Sequence, residues 1–251
     1  MIMSLIRHGS LDAFAATVVA PESAGLPNLG RLRTFSDVGE AIRAVQPAML
    51  ELPASSESRG LALKSLKLTQ GFEGFLQNMF NPTNNVYFLA WSWDLSGAPI
   101  VEYPGSTATD RTCLVPMKVG QVREFLGAGV ALFPARQVTS GLATRIMLWE
   151  SDQSTRDFGK AMSDVAKTVK VSKLSNLLSV LSLTLGATTT TVTLIKDAVV
   201  ELADAIGKVL QANSDDYVDF YEGYYPVAEP WTIGDEMHRG NASEIAIARL
   251  A

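Results

Sequence analysis

Cysteine occurs once in the 251 residues, at Cys113, so no intrachain disulfide can form and a thiolate zinc site would need ligands from another chain. Beside Arg111 that thiol has the look of an activated nucleophile, but a lone cysteine is far more often a small buried hydrophobe. Histidine is nearly as scarce: His8 and His238 both fall in expected terminal arms, where surface positions are the plain reading and a triad or metal site the strained one. The motifs of common chemistries are missing too. There is no phosphate-binding GxxxxGK[ST], no GxSxG elbow and no HExxH helix, and Gly127 and Gly129 lack the third glycine of a dinucleotide fingerprint. Basic runs are also absent. Twenty-one Lys and Arg against 26 Asp and Glu leave a net charge of -5, and the scattered cations give no footprint for nucleic acid. Met1 to Arg7 lacks a basic start, and Arg7, His8 and Asp12 cut its short apolar stretch, so no signal peptide is legible. The expectation is a cytoplasmic chain, or one exported by a signal-peptide-independent route.

What is present suits a folded protein. A hydrophobic fraction of 47% with 19% charged residues argues against wholesale disorder, and a chain of this length buries about 70–75% of its unfolded surface. Residues 1–60 read as an extended arm punctuated by Pro21, Pro27, Pro47 and Pro53. Within it only Phe35 to Leu52 looks helical, with Ser36 as cap and Val38, Ile42 and Val45 at helical spacing before Pro47. Residues 61–251 read as one β-rich domain. Leu61, Leu63, Leu66 and Leu68 predict a strand with a local irregularity, and VYFLAWSWDL from Val86 to Leu95 predicts another, returning as a hairpin through Ile100 to Tyr103. Val130 to Phe133, Thr144 to Trp149 and Tyr217 to Tyr225 continue the series, the last with Val218 and Phe220 on one face. Pro226 to Ala251 reads as loose, with one short strand at Ile245 and Ile247.

An excursion over about 158–212 interrupts this body. Val192, Ile195, Val199, Leu202, Ile206 and Val209 recur at intervals of three and four, with Lys196, Asp197, Glu201, Asp204 and Lys208 elsewhere around the helix. Phe158, Met162, Val165 and Val169, then Leu174, Leu178, Leu181 and Leu185, form a second stripe with a phase slip near Val171. Gly186 and Thr188 to Thr191 supply a turn and cap between them. The fold expected is therefore α+β: an antiparallel, β-sandwich-like body with an inserted two-helix hairpin and extended termini.

Three functional readings follow. The leading one is a non-enzymatic structural or binding protein, self-associating or joined to other protein subunits, because extended arms and edge strands leave backbone groups for another chain to satisfy. A second is a membrane-active or pore-forming protein. The stretch 174–195 carries no charge and long enough on paper to span a bilayer, but it is rich in Ser and Thr, and LSLTL and TTVTLI alternate as a membrane-inserting hairpin would. The third places a carboxylate site, catalytic or calcium-binding, at a rim where Asp94, Asp152, Asp215, Asp216 and Asp219 converge. That arrangement resembles calcium-dependent lipid-binding sandwiches of the C2 type in outline, without matching a specific motif of theirs. A solvated turn and strand is the plainer account of the same residues.

Overall fold

A computed structural model describes residues 4–5, 49–50, 52–71, 83–105, 114–151, 155–183, 187–211 and 216–251. In chain order the strands are β1 (Ser4–Leu5), β2 (Met49–Leu50), β3 (Arg59–Leu68), β4 (Asn84–Trp93), β5 (Val101–Tyr103), β6 (Val115–Met117), β7 (Val122–Glu124), β8 (Val130–Arg136) and β9 (Gly141–Glu150). Helices α1 (Thr155–Lys170) and α2 (Lys173–Leu183), strand β10 (Ala187–Thr188) and helix α3 (Thr189–Gln211) follow, then β11 (Asp216–Pro226), β12 (Gly234–Arg239) and β13 (Ser243–Leu250). One sheet runs β1-β11-β9-β4-β5 with β6 also on β4, and the other runs β12-β13-β3-β7 with β8 also on β3. Apart from the parallel β1–β11 pair, the strands of both sheets pair antiparallel. The expected α+β, sandwich-like body with its helical insertion is the observed fold.

The first sheet is a middle layer. Its β4 turns Val86, Phe88 and Ala90 toward the second sheet, where they meet Leu61, Leu63 and Leu66 of β3, Phe133 of β8, and Ile245 and Ile247 of β13. The alternate residues Tyr87, Leu89, Trp91 and Trp93 face the helices and pack with Met162, Val165, Leu174, Leu178, Ile195, Val199, Leu202 and Ile206. A strand buried on both faces needs apolar residues at successive positions, which is why VYFLAW reads as a continuous run and not as an alternation. Both faces of β9 are also covered, Ile146 and Leu148 on one and Met147 and Trp149 on the other. Gly141 opens β9 because a Cβ there would lie 2.5 Å from the Tyr224 hydroxyl, which accordingly reaches the Ser140 carbonyl at 3.1 Å.

Several expectations are corrected. The first arm of the helical hairpin is two helices, because the phase slip near Val171 is a real break. Ser172 closes α1 by donating its hydroxyl to the Val169 carbonyl at 2.7 Å, and it caps α2 by accepting from the Ser175 amide at 3.1 Å. Val218 and Phe220 do not share a face. Tyr217 and Asp219 stand opposite successive residues of β9, Trp149 and Leu148, so Val218 is a bulged extra residue that joins the core between the sheets while Phe220 faces the helices. Residues 226–251 are not loose: β12 and β13 form a hairpin, and β13 lies central in the second sheet. The connection from β11 to β12 is pinned by Arg59, which donates to the carbonyls of Pro226, Val227 and Glu229, while Arg59 and Arg249 stand 5.2 and 5.6 Å from the Trp231 ring. The helix expected over Phe35 to Leu52 lies mostly outside the described residues. Past Pro47, however, Met49–Leu50 is extended and pairs with Thr188 and Ala187.

Candidate functional site

Asp94 and Asp219, the acidic candidates whose side chains are described, do not converge. Asp94 extends β4 beyond Trp93, which faces Ala143, whereas Asp219 faces Leu148, which sets the two roughly 17 Å or more apart along β9. Asp152 and Asp215 lie outside the described residues, and Asp216 opens β11 opposite Glu150. Among the described residues no group of three His, Cys, Asp or Glu is placed to hold a metal ion. The carboxylate rim is therefore corrected in its geometry: Asp94 and Asp219 belong to different ends of the sheet.

Each of the two acids instead ties a loop to a strand. Asp94 is 1% exposed. One oxygen accepts from the Ser96 hydroxyl at 2.8 Å and from Arg136 at 3.2 Å, and the other from the Thr139 amide at 2.9 Å. This joins the β4–β5 turn to the chain entering β9. Asp219, with no exposed surface, accepts from the amides of Asn241 and Ala242 at 2.9 Å and from the Ser243 hydroxyl at 2.6 Å. Ser243 in turn meets the Tyr221 hydroxyl at 2.8 Å. Burial pushes the Tyr221 phenol upward, so it stays protonated and can donate here. These carboxylates are thus occupied by donors within the fold, neutral amides and hydroxyls at Asp219 and the same kinds together with the Arg136 guanidinium at Asp94.

A buried charge pair was not legible in the sequence. Arg145 and Glu222 are cross-strand partners of β9 and β11, both nearly without solvent, and form an ion pair beneath α3. Arg145 also donates to the Val199 carbonyl at 3.1 Å and lies 5.2 Å from the Phe220 ring. Burial lowers the Arg145 guanidinium from its ordinary value while Glu222 opposes the shift. Glu102, opposite Trp91, lines a cleft between β4, β5, α1 and α3, with Met162, Val165 and Ile206 on the helical side; partial burial raises its carboxyl.

The apolar seam residues whose side chains are described face inward. Leu174, Leu178, Ile195, Val199 and Leu202 are each 2% exposed or less and pack on the tryptophan-bearing face of the middle sheet. Leu181 belongs to α2 and Val192 to α3, while Leu185 lies outside the described residues, as do His8 and Cys113. Among the described residues no helix is long and apolar enough to cross a membrane. His238 is corrected from a surface site to a buried one on β12, 3.9 Å from Glu236.

Strand edges are the remaining feature. The N-terminal segment β1 lies parallel along the outer edge of β11, Ser4 against Tyr221 and Leu5 against Glu222. At the far end of the second sheet β12 is terminal, and it carries Met237 at 65% exposure, with Ile233 just before it at 63%.

No family model matches the chain, and no curated protein matches it. A solved structure of human GIVD cytosolic phospholipase A2 in complex with methyl gamma-linolenyl fluorophosphonate inhibitor and terbium chloride is similar over 80% of this chain and 18% of that one, at 6% identity and a TM-score of 0.31. This chain thus spans a small part of that protein's length, and at that score the likeness establishes neither fold nor function.

Proposed function

We propose that this chain is a non-enzymatic structural or binding protein, a subunit of a homo-oligomer or of a larger assembly. The observation that carries the reading is strand addition by the N-terminal arm: Ser4–Leu5 extends the middle sheet beside β11, and Met49–Leu50 pairs with Ala187–Thr188 ahead of α3. Extended segments of this chain are held at strand edges by main-chain bonding. The same chemistry serves between chains, since an edge accepts a strand whatever molecule supplies it. The saturation of Asp94 and Asp219 by loop amides and hydroxyls supports a structural use of the carboxylates over a catalytic one. Lipid insertion by 174–195 would have to undo the packing of Leu174, Leu178 and Ile195 on the middle sheet, and burial of one such side chain contributes about 1.5–3 kcal/mol.

Size-exclusion chromatography with light scattering tests the proposal on the full chain and on a variant lacking residues 1–5. A mass above 27.0 kDa that rises with concentration, and shifts when the arm's first strand is removed, supports it. A mass of 27.0 kDa at every concentration, with the truncation changing nothing, sinks it.

A further inference from the structure

The β12 edge is self-complementary. The Gly240 amide donates to the Ser243 carbonyl at 2.8 Å, which places Gly240 and Ser243 at a hydrogen-bonded position of the β12–β13 hairpin. Positions alternate along an antiparallel pair. His238, Glu236 and Gly234, opposite Ile245, Ile247 and Arg249, therefore bond inward, and Arg239, Met237 and Asp235 turn their amides and carbonyls to the free edge. These same three residues share one face of the pleat, and all three are exposed.

Their order along the strand is acid, apolar, base, symmetric about Met237. When two such edges meet antiparallel about a two-fold axis through Met237, Asp235 of each copy stands opposite Arg239 of the other and Met237 packs on its own counterpart. Three narrow pairs then exchange six main-chain hydrogen bonds. Other registers do worse. A slip by one residue matches outward backbone groups with inward ones. A slip by two in one sense sets Glu236 against Glu236 and leaves Asp235 opposite Met237; in the other it sets His238 against His238 and Met237 against Arg239. An edge guarded against pairing carries charge of one sign, which repels in every antiparallel register; here the signs oppose at equal distances from the centre. Arg239 already bonds Glu244 through Nε at 2.7 Å, yet its side chain is 79% exposed and a guanidinium has five donors to share.

We propose that β12 is a homodimerisation edge, recognising the β12 of a second copy in antiparallel register centred on Met237 and fusing two five-stranded sheets into one. This rests on the assembly reading above and names its contact. A six-residue strand offers about 20 Å of edge, too short a contact to bury the roughly 1,200–2,000 Å² of a stable interface, so the dimer is concentration-dependent and not obligate.

Analytical ultracentrifugation of the full chain over a concentration series tests this with Asp235→Arg, Arg239→Asp and the double reversal, each checked for native circular dichroism. Asp235→Arg faces two arginines across the two-fold at both ends and weakens dimerisation by about tenfold. Arg239→Asp does the same with carboxylates. The double reversal restores opposite signs and returns the association to within about threefold of the starting chain. Met237→Pro, which removes an outward amide that no described strand uses, abolishes the dimer while leaving the fold intact. Self-association that is indifferent to all four variants overturns the β12 contact and leaves the assembly reading standing, whereas a chain that is monomeric at every concentration removes both.

Discussion

The acidic residues that most invite a catalytic reading are turn clasps. Asp219, with no exposed surface, accepts two amides and a hydroxyl from Asn241, Ala242 and Ser243, so Asp219→Ala strands the buried Ala242 amide and removes an acceptor from the Ser243 hydroxyl and the Asn241 amide. The expected cost is about 3 kcal/mol, since each stranded buried donor costs roughly 1–3 kcal/mol, and urea denaturation reads it as a lower midpoint at an unchanged slope. Gly240 belongs to the same clasp: a Cβ there would press on the Asp219 carboxylate and stand 2.7 Å from the Tyr221 hydroxyl. Gly240→Ala is therefore destabilising by about 1–3 kcal/mol through overpacking. Because the methyl collides with the group that Asp219→Ala deletes, the double variant costs less than the sum of the two. Strict additivity would mean that the two residues do not share one contact.

At the scale of elements, the helical layer is held by apolar packing with one charged exception. Arg145 and Glu222 meet across β9 and β11 under α3, and Arg145 also reaches the Val199 carbonyl. Arg145→Met strands the Glu222 carboxylate in an apolar layer and costs about 3–5 kcal/mol, while Arg145→Met with Glu222→Leu removes both charges and costs far less. Thermal melts of the starting chain and the two variants check this, and a double variant as unstable as Arg145→Met alone would refute it. The same pair marks the limit of legibility. The stripes through Leu174, Leu178, Ile195, Val199 and Leu202 are readable because an apolar face at helical spacing has one physical use. The break at Val171 announces itself as a phase slip, and the leucines of β3 as an alternation. Arg145, Glu222 and Asp219 are unreadable, because each sits at an inward position where period alone demands an apolar residue. Only their three-dimensional partners make them compatible with burial. The segment GDEMHR of β12 reads as loop for the same reason: Glu236 and His238 point inward next to Arg249, and their partner lies on the neighbouring strand. The Val218 bulge adds one residue without a composition signal and reverses the face of everything before it.

For the whole molecule the decisive feature is that β4, β9 and β11 of the middle sheet are packed on both faces. One side meets the second sheet and the other meets α1, α2 and α3, so the insertion that interrupts the chain completes the core of the sheet it interrupts. Three of the four tryptophans, Trp91, Trp93 and Trp149, are each 1% exposed at the sheet–helix boundary, and the indole N–H groups of Trp91 and Trp149 have no hydrogen-bond partner there. Their emission reports directly on whether the helices stay docked. A layer integral to the core predicts blue-shifted fluorescence, little acrylamide quenching, and urea unfolding curves that coincide for tryptophan emission and far-ultraviolet circular dichroism. It also predicts that anionic or neutral vesicles leave the spectrum unchanged, because deploying 174–195 into lipid must pull Leu174, Leu178 and Ile195 away from those rings. A red shift on adding vesicles while the β-sheet dichroism persists would show the helical layer leaving the sandwich, and would put membrane action ahead of assembly.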